Sequence, residues 1–249
     1  MSKSEYYRQQ LATLQEWEPY LRQESALPGP RGNLELASAV AEVGRLVQFE
    51  AWLSADAAKP EADTPEMYLA FCGVVGLGAC IARSLCGEET TKPADTDHLW
   101  QVLRAYASDP RWRMREAVAM ALQRIGDASM EALYRGIDSW RIGNWLEKRA
   151  VAAGLAEPRL LTHERDIQRS LSIIDEITAS LASAANRSGD DFRILRQCLG
   201  YAWSVIVAAS PEKGAPYMER WLDSPDPDIR WILKENLKKK RLAGIFTAR

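Results

Sequence analysis

The stretch Trp112-Arg-Met-Arg-Glu-Ala-Val-Ala-Met-Ala-Leu122 returns 33 residues later as Trp145-Leu-Glu-Lys-Arg-Ala-Val-Ala-Ala-Gly-Leu155. In both copies an aromatic residue precedes a charged pair, then Ala-Val-Ala, then a small residue and Leu. Self-similarity at such a period marks stacked supersecondary units, because one unit cannot bury its own apolar side. In the first copy Met114, Ala117, Val118, Ala121, Leu122 and Ile125 fall at i, i+3, i+4, i+7, i+8 and i+11, a continuous stripe on one side of a helix.

The same periodicity predicts helices along the whole chain. The first covers 4–22, with Leu11, Leu14, Trp17 and Leu21 as its stripe, and the turn 27–32 closes it. Helices over 34–53 and 65–85 are separated by an Asp/Pro/Lys-rich link at 56–65, and a polar link at 87–96 precedes a segment over 97–107. Asp109 is the expected N-cap and Pro110 the first helical residue of the motif helix 111–125, which Gly126-Asp127 is expected to end. Helices follow over 129–137, 144–155, 164–187 (the longest), 191–208, 215–222 and 227–240; the last turns Ile229, Ile232, Leu233 and Leu237 inward. No segment alternates long enough to read as a strand. The expected fold is all-α, an α-solenoid of antiparallel helix pairs forming one repeat domain over 1–249, with 1–90 its divergent start.

Composition bounds the function. Residues 1–100 carry 8 Lys or Arg against 15 Asp or Glu, and residues 101–249 carry 24 against 19, a modest basic excess compatible with a polyanion footprint. Cys72, Cys80, Cys86 and Cys198 form no C-x-x-C pair, so free thiols and a cytoplasmic location are expected. The apolar run from Met67 to Ile81, continuing to Leu85, contains three glycines and Arg83 and is expected to fall short of a membrane span. His98 and His163 are the only histidines, which disfavours zinc sites and Ser-His or Cys-His catalysis; no metal or cofactor is expected.

Asp109-Pro-Arg-Trp-Arg-Met-Arg-Glu-Ala-Val-Ala-Met-Ala-Leu122 resembles the HEAT repeat consensus, in which a turn Asp precedes a hydrophobic-Arg pair and a small-residue helix. Asp226-Pro-Asp-Ile-Arg-Trp-Ile-Leu-Lys-Glu-Asn-Leu237 resembles a degenerate copy, and the likeness covers 97–241. It implies armadillo-type stacking, with second helices of successive pairs lining a concave face. A narrower likeness joins Phe192-Arg-Ile-Leu-Arg-Gln-Cys-Leu-Gly-Tyr201, followed by Pro211, to the C-terminal repeats of bacterial alkylpurine DNA glycosylases built from HEAT-like repeats. That resemblance implies a cationic DNA groove in which Arg115 or Lys148-Arg149 matches the groove Arg and Tyr201 stands for a groove Trp. The family's Trp-x-x-x-Asp element has no counterpart; Ile137-Asp-Ser-Trp140 holds the residue types in another order.

The candidate binding residues lie on the motif helices and their equivalents: Trp112, Arg115, Trp145, Lys148, Arg149, Arg196, Tyr201, Arg230, Trp231 and Lys234. Arg115 and Arg230 either reach back to the aspartates of the preceding turn or join the other cations in following a phosphate backbone. Trp112, Trp145 and Trp231 either pack on a neighbouring repeat or stand exposed as partner hot spots, whereas Trp17, Trp52 and Trp100 read as core. Gly73-Val-Val-Gly-Leu-Gly78 reads as close helix packing rather than a phosphate loop, since no strand precedes it. Lys238-Lys-Lys-Arg241 reads as a solvated helix end or a nucleic-acid patch. Helix capping explains Asp190-Asp191, and Asp175-Glu176 fall on a polar helix side, so neither pair makes an acid-base site. The function expected from all this is non-enzymatic binding of a protein partner through helices 111–125, 144–155, 191–208 and 227–240. The alternative is a DNA-binding or DNA-alkylation-repair protein; the oligomeric state stays open.

Overall fold

The computed structural model describes residues 2–56, 63–88 and 93–246, which fall into two compact units, Met1–Ser129 and Met130–Arg249. Among the described residues there are thirteen α-helices and no strand. The first unit contains α1 (Lys3–Thr13), α2 (Glu18–Glu24), α3 (Leu34–Val43), α4 (Leu46–Ala55), α5 (Pro65–Leu85), α6 (Pro93–Ala107) and α7 (Trp112–Ala128). There α1 packs on α3, α3 on α5 and α5 on α7, while α2 and α4 lie against α5, and α6 lies against both α5 and α7. The second unit contains α8 (Met130–Gly136), α9 (Trp145–Leu155), α10 (Glu164–Ala182), α11 (Asp190–Ala209), α12 (Pro211–Glu219) and α13 (Pro227–Leu237). There α9 packs on α11 and α11 on α13, with α10 against α12 behind them. Packing between alternate helices is how helix pairs stack, so the chain has the expected all-α helical-repeat architecture.

Several boundaries differ from the periodicity. The helix expected over 4–22 is two helices, because Leu14 turns extended and the Trp17 indole donates to Leu11 O at 3.1 Å before Pro19 opens α2. The helix expected over 34–53 breaks at Gly44, whose backbone is extended, and the Arg45 N–H is then capped by Gln48 at 3.0 Å. Gly126-Asp127 does not end α7, which runs to Ala128 with Gly126 buried inside it. The segment expected as the longest helix, 164–187, stops at Ala182, and α5 is longer. Of the expected links, residues 57–62 and 89–92 lie outside the described residues.

Fifteen consecutive residues of α5, Met67 to Ile81, are buried, as in a helix surrounded on every side. Contrary to the expectation that this run falls short of a span, α5 is long and apolar enough to cross a bilayer, but 78% of its most apolar window is buried inside the fold. Its glycines do what close packing requires: a Cβ on Gly76 would meet the Phe49 ring at 2.5 Å, and one on Gly78 would meet the Ala121 backbone at 2.5 Å. The α7 stripe from Met114 to Ile125 is wholly buried, each large apolar side chain contributing about 1.5–3 kcal/mol.

The tryptophan core is not the expected one. Trp52 is buried and donates to Glu18 at 2.8 Å, but Trp17 and Trp100 are half-buried. Trp140 and Trp203 are the largest fully buried side chains, and the Trp203 indole N–H finds Thr178 Oγ1 at 3.0 Å, as a buried indole must. On α13, Ile229, Ile232 and Leu233 point inward as expected, but Leu237 is 41% exposed. Asn236 takes the inner position instead. It accepts from Ser204 N at 2.8 Å and donates to Leu199 O and Ile232 O, both at 2.8 Å, bridging α11 and α13.

Candidate partner-binding face

The ten candidate residues divide between the units: Trp112 and Arg115 stand on α7, and the other eight on α9, α11 and α13. Arg115 is buried, its Nη1 donating to Asp109 O at 2.6 Å and Pro110 O at 2.8 Å. Arg230 repeats this geometry, with Nη1 on Ser224 O at 3.1 Å and Pro225 O at 2.6 Å. Both arginines therefore reach back to carbonyls of the preceding turn. Asp109 is not the N-cap; Arg111 is, and Asp109 accepts the Arg111 backbone N–H at 2.8 Å and two guanidinium hydrogen bonds.

In the second motif copy the position of Arg115 is held by Lys148, which behaves differently. Asn144 caps α9 by accepting from the backbone of Leu146 and Glu147, and the Glu147 carboxylate accepts from Asn144 N, so this turn satisfies the helix-start N–H groups with its own side chains. The Lys148 ammonium instead donates to Ser180 Oγ at 3.1 Å and sits 4.5 Å from the centre of the Trp145 ring. Burial pushes its pKa below the ordinary lysine value. Trp145 in turn meets Phe192 edge to face at 5.6 Å, which makes it a packing residue between α9 and α11.

Along α11 and α13 the cations are tied to the turn before α13. Arg196 pairs with Asp228 at 2.6 Å and covers Trp231 at 4.3 Å, and Arg187 bridges Asp226 at 2.6 Å and Asp228 at 3.1 Å. Trp231 also rests against Gly200, on which a Cβ would meet the Trp231 ring at 3.1 Å. Asp226 is the α13 N-cap, accepting from Asp228 N and Ile229 N. Burial disfavours its charged form, but Arg187 and these backbone N–H groups outweigh that and hold its carboxyl below the usual value of 3.8. The stabilisation is then complete above that value and is lost as pH falls through the lower folded-state value. Asp226→Asn keeps a capping oxygen and removes the charge, so its urea midpoint should fall less than the wild type's between about pH 4 and pH 2. Parallel pH profiles for the two proteins would show that the Arg187 pair contributes nothing.

What stays accessible is a smaller set. Trp112 is 43% and Tyr201 46% exposed. Arg113 stacks on Trp112, while Arg241 donates to the Tyr201 hydroxyl at 3.0 Å and covers its ring. Lys234 and the Arg230 guanidinium are exposed, and Arg149 is half-buried. The carboxylates are committed as well: Asp175 accepts the Trp221 indole at 2.7 Å and pairs with Arg220, and Glu176 pairs with Arg141. Asp190 and Asp191 lie in the first turn of α11 behind the N-cap Gly189, so they favour the helix start by charge rather than by capping. Among the described residues no cluster of three or more His, Cys, Asp or Glu could hold a metal ion.

Sequence reading missed Arg187 and Asn236 and the ion cluster of Asp56, Asp109 and Arg111, because in each case at least one partner comes from a distant part of the chain. The turn motif Asp226-Pro-Asp228 was the one available signal, since two carboxylates at a helix start attract a cation.

No family model matches the chain, and no curated protein matches it in sequence. Among solved structures a designed armadillo repeat protein is similar over 88% of this chain and 98% of its own, at 14% identity and a TM-score of 0.32. At that level the similarity says nothing about what this chain binds.

Proposed function

We propose that the chain is a non-enzymatic helical-repeat binding module whose α9, α11 and α13 surface engages a protein partner. One observation carries this reading. Several of the cations that would track a phosphate backbone are already engaged within the chain: Arg115 and the exposed Arg230 by turn carbonyls, Lys148 by Ser180 and Trp145, Arg196 by Asp228. Phosphate binding draws its strength from several free cations at once, whereas a protein interface needs a few accessible aromatic and basic anchors such as Tyr201, Arg149 and Lys234. The four cysteines are free thiols, which supports a reducing compartment and a cytoplasmic location.

Alanine replacement of Arg149, Tyr201 and Lys234, each read by co-purification, should weaken capture of a protein partner by at least about tenfold at one position or more. Full retention of every partner by all three variants would remove this reading. The basic excess of residues 101–249 favours a second one, a DNA-binding protein related to the repeat-built glycosylases. Duplex binding whose affinity falls steeply with salt would establish it, and no binding at low salt would end it.

A further inference from the structure

The side of α13 turned away from Asn236 carries a further feature. A groove of about 650 Å³ runs along it. Leu222, Trp231 and the unexpectedly outward Leu237 give it an apolar floor; Arg230, Lys234 and Lys238 supply its charge, Arg230 also holding two turn carbonyls and Lys238 also pairing with Glu235 at 2.5 Å, and no carboxylate lines it. The imbalance extends along the chain, since residues 229–242 hold six Lys or Arg and one acidic residue, Glu235.

We propose that this groove binds an acidic amphipathic segment of a protein partner, with apolar side chains at helical spacing on Trp231 and Leu237 and flanking carboxylates on Lys234 and Lys238. The inference rests on the reading of the second unit as a protein-binding module and names the chemistry of its partner. Charge complementarity selects the occupant: a basic or neutral segment would bring no counter-charge to a rim of three cations. The apolar floor selects an amphipathic segment over a merely acidic one, as in recognition of a helix laid in a groove. From Trp231 to Lys238 the groove follows about 10 Å of helix, room for about two turns of a partner helix. Nucleic acid fits less well, because Arg196 already covers the Trp231 ring, which would otherwise offer a base a stacking platform.

The test uses a labelled synthetic helix of about 18 residues, with Leu and Phe at i, i+3, i+4 and i+7 and Glu elsewhere, read by fluorescence anisotropy against the full chain. A second peptide replaces every Glu by Lys, a third keeps Glu and replaces the apolar residues by Ser, and the last probe is a DNA duplex. The proposal expects the first peptide alone to bind, more weakly as salt rises. Lys234→Glu/Lys238→Glu should reduce that binding at least about tenfold and accept the Lys peptide instead, and Leu237→Ser should weaken it severalfold with unchanged circular dichroism. Equal binding of the Lys peptide by the wild type, no binding of the Glu peptide, or tighter binding of DNA each overturns it. So does a dimer in sedimentation that the Lys234→Glu/Lys238→Glu variant dissolves, because the occupant is then a second copy. If the groove fails while Arg149 and Tyr201 still control partner capture, the groove is wrong and the binding module stands. If those residues have no effect either, both fall.

Discussion

Replacing Arg111 by methionine is expected to destabilise the first unit by about 3–5 kcal/mol, the cost of leaving buried carboxylates without their cation. The Arg111 side chain is 6% exposed, and those of Asp56 and Asp109 are each 2% exposed. Its Nη1 and Nη2 donate to the two Asp56 oxygens at 2.7 and 2.6 Å, and its Nε and Nη2 donate to Asp109 at 2.9 and 2.8 Å. Hydrogen bonds to Asp56 and then Asp109 raise the guanidinium above its already high pKa, so it stays charged at every accessible pH. Tyr106 closes the cluster by donating to Asp56 at 3.2 Å; burial first, and then the Asp56 charge, push its phenol up and keep it a donor. The cluster joins the end of α4 to the turn before α7, 55 residues away. Urea unfolding would measure the loss. Adding Asp56→Asn and Asp109→Asn to Arg111→Met should recover much of it, since the neutral set leaves no charge buried. A loss below about 1 kcal/mol in Arg111→Met would mean that the three charges behave as a solvated surface pair.

The stacking of the repeat was legible because it rests on spacing. Met114 to Ile125 is buried at every expected position, and the corresponding spacing on α10, from Ile167 to Leu181, is buried as well. Spacing failed where one polar side chain satisfied more groups than an apolar one could. Asn236 displaced Leu237 because it meets three backbone groups between α11 and α13 at once. The helix breaks at Leu14 and Gly44 were illegible because the apolar stripe continues across each break; each is accompanied by a local contact, the Trp17 indole on Leu11 O and the Phe49 ring close to Gly44. The candidate cations were identified by position but not by state. Arg115, Lys148 and Arg230 occupy equivalent sites in the motif, yet Arg115 and Arg230 bond carbonyls of the preceding turn while Lys148 bonds Ser180 on α10, a difference that spacing does not carry. The α13 groove could not be read at all, since it depends on Leu237 pointing outward.

Gly78→Ala should destabilise the first unit by about 3 kcal/mol, although alanine is the better helix former by about 1 kcal/mol. The two effects have opposite signs, which makes the variant a direct measure of how closely α5 and α7 approach. An added Cβ would stand 2.5 Å from both Cα and O of Ala121 and 2.7 Å from its Cβ. Two of those atoms are backbone of a neighbouring helix, so no rotamer change relieves them and the helices must separate along their contact. Separation in turn loosens the Met114, Val118 and Leu122 stripe, all of it buried. Ala121→Gly on the Gly78→Ala background removes one of the three contacts and should return only part of the stability. The melting temperatures and urea midpoints of the three proteins decide the matter. If Gly78→Ala is instead stabilising by helix propensity alone, the two helices do not touch at this glycine, and the Gly73-Val-Val-Gly-Leu-Gly78 run needs another explanation than close packing.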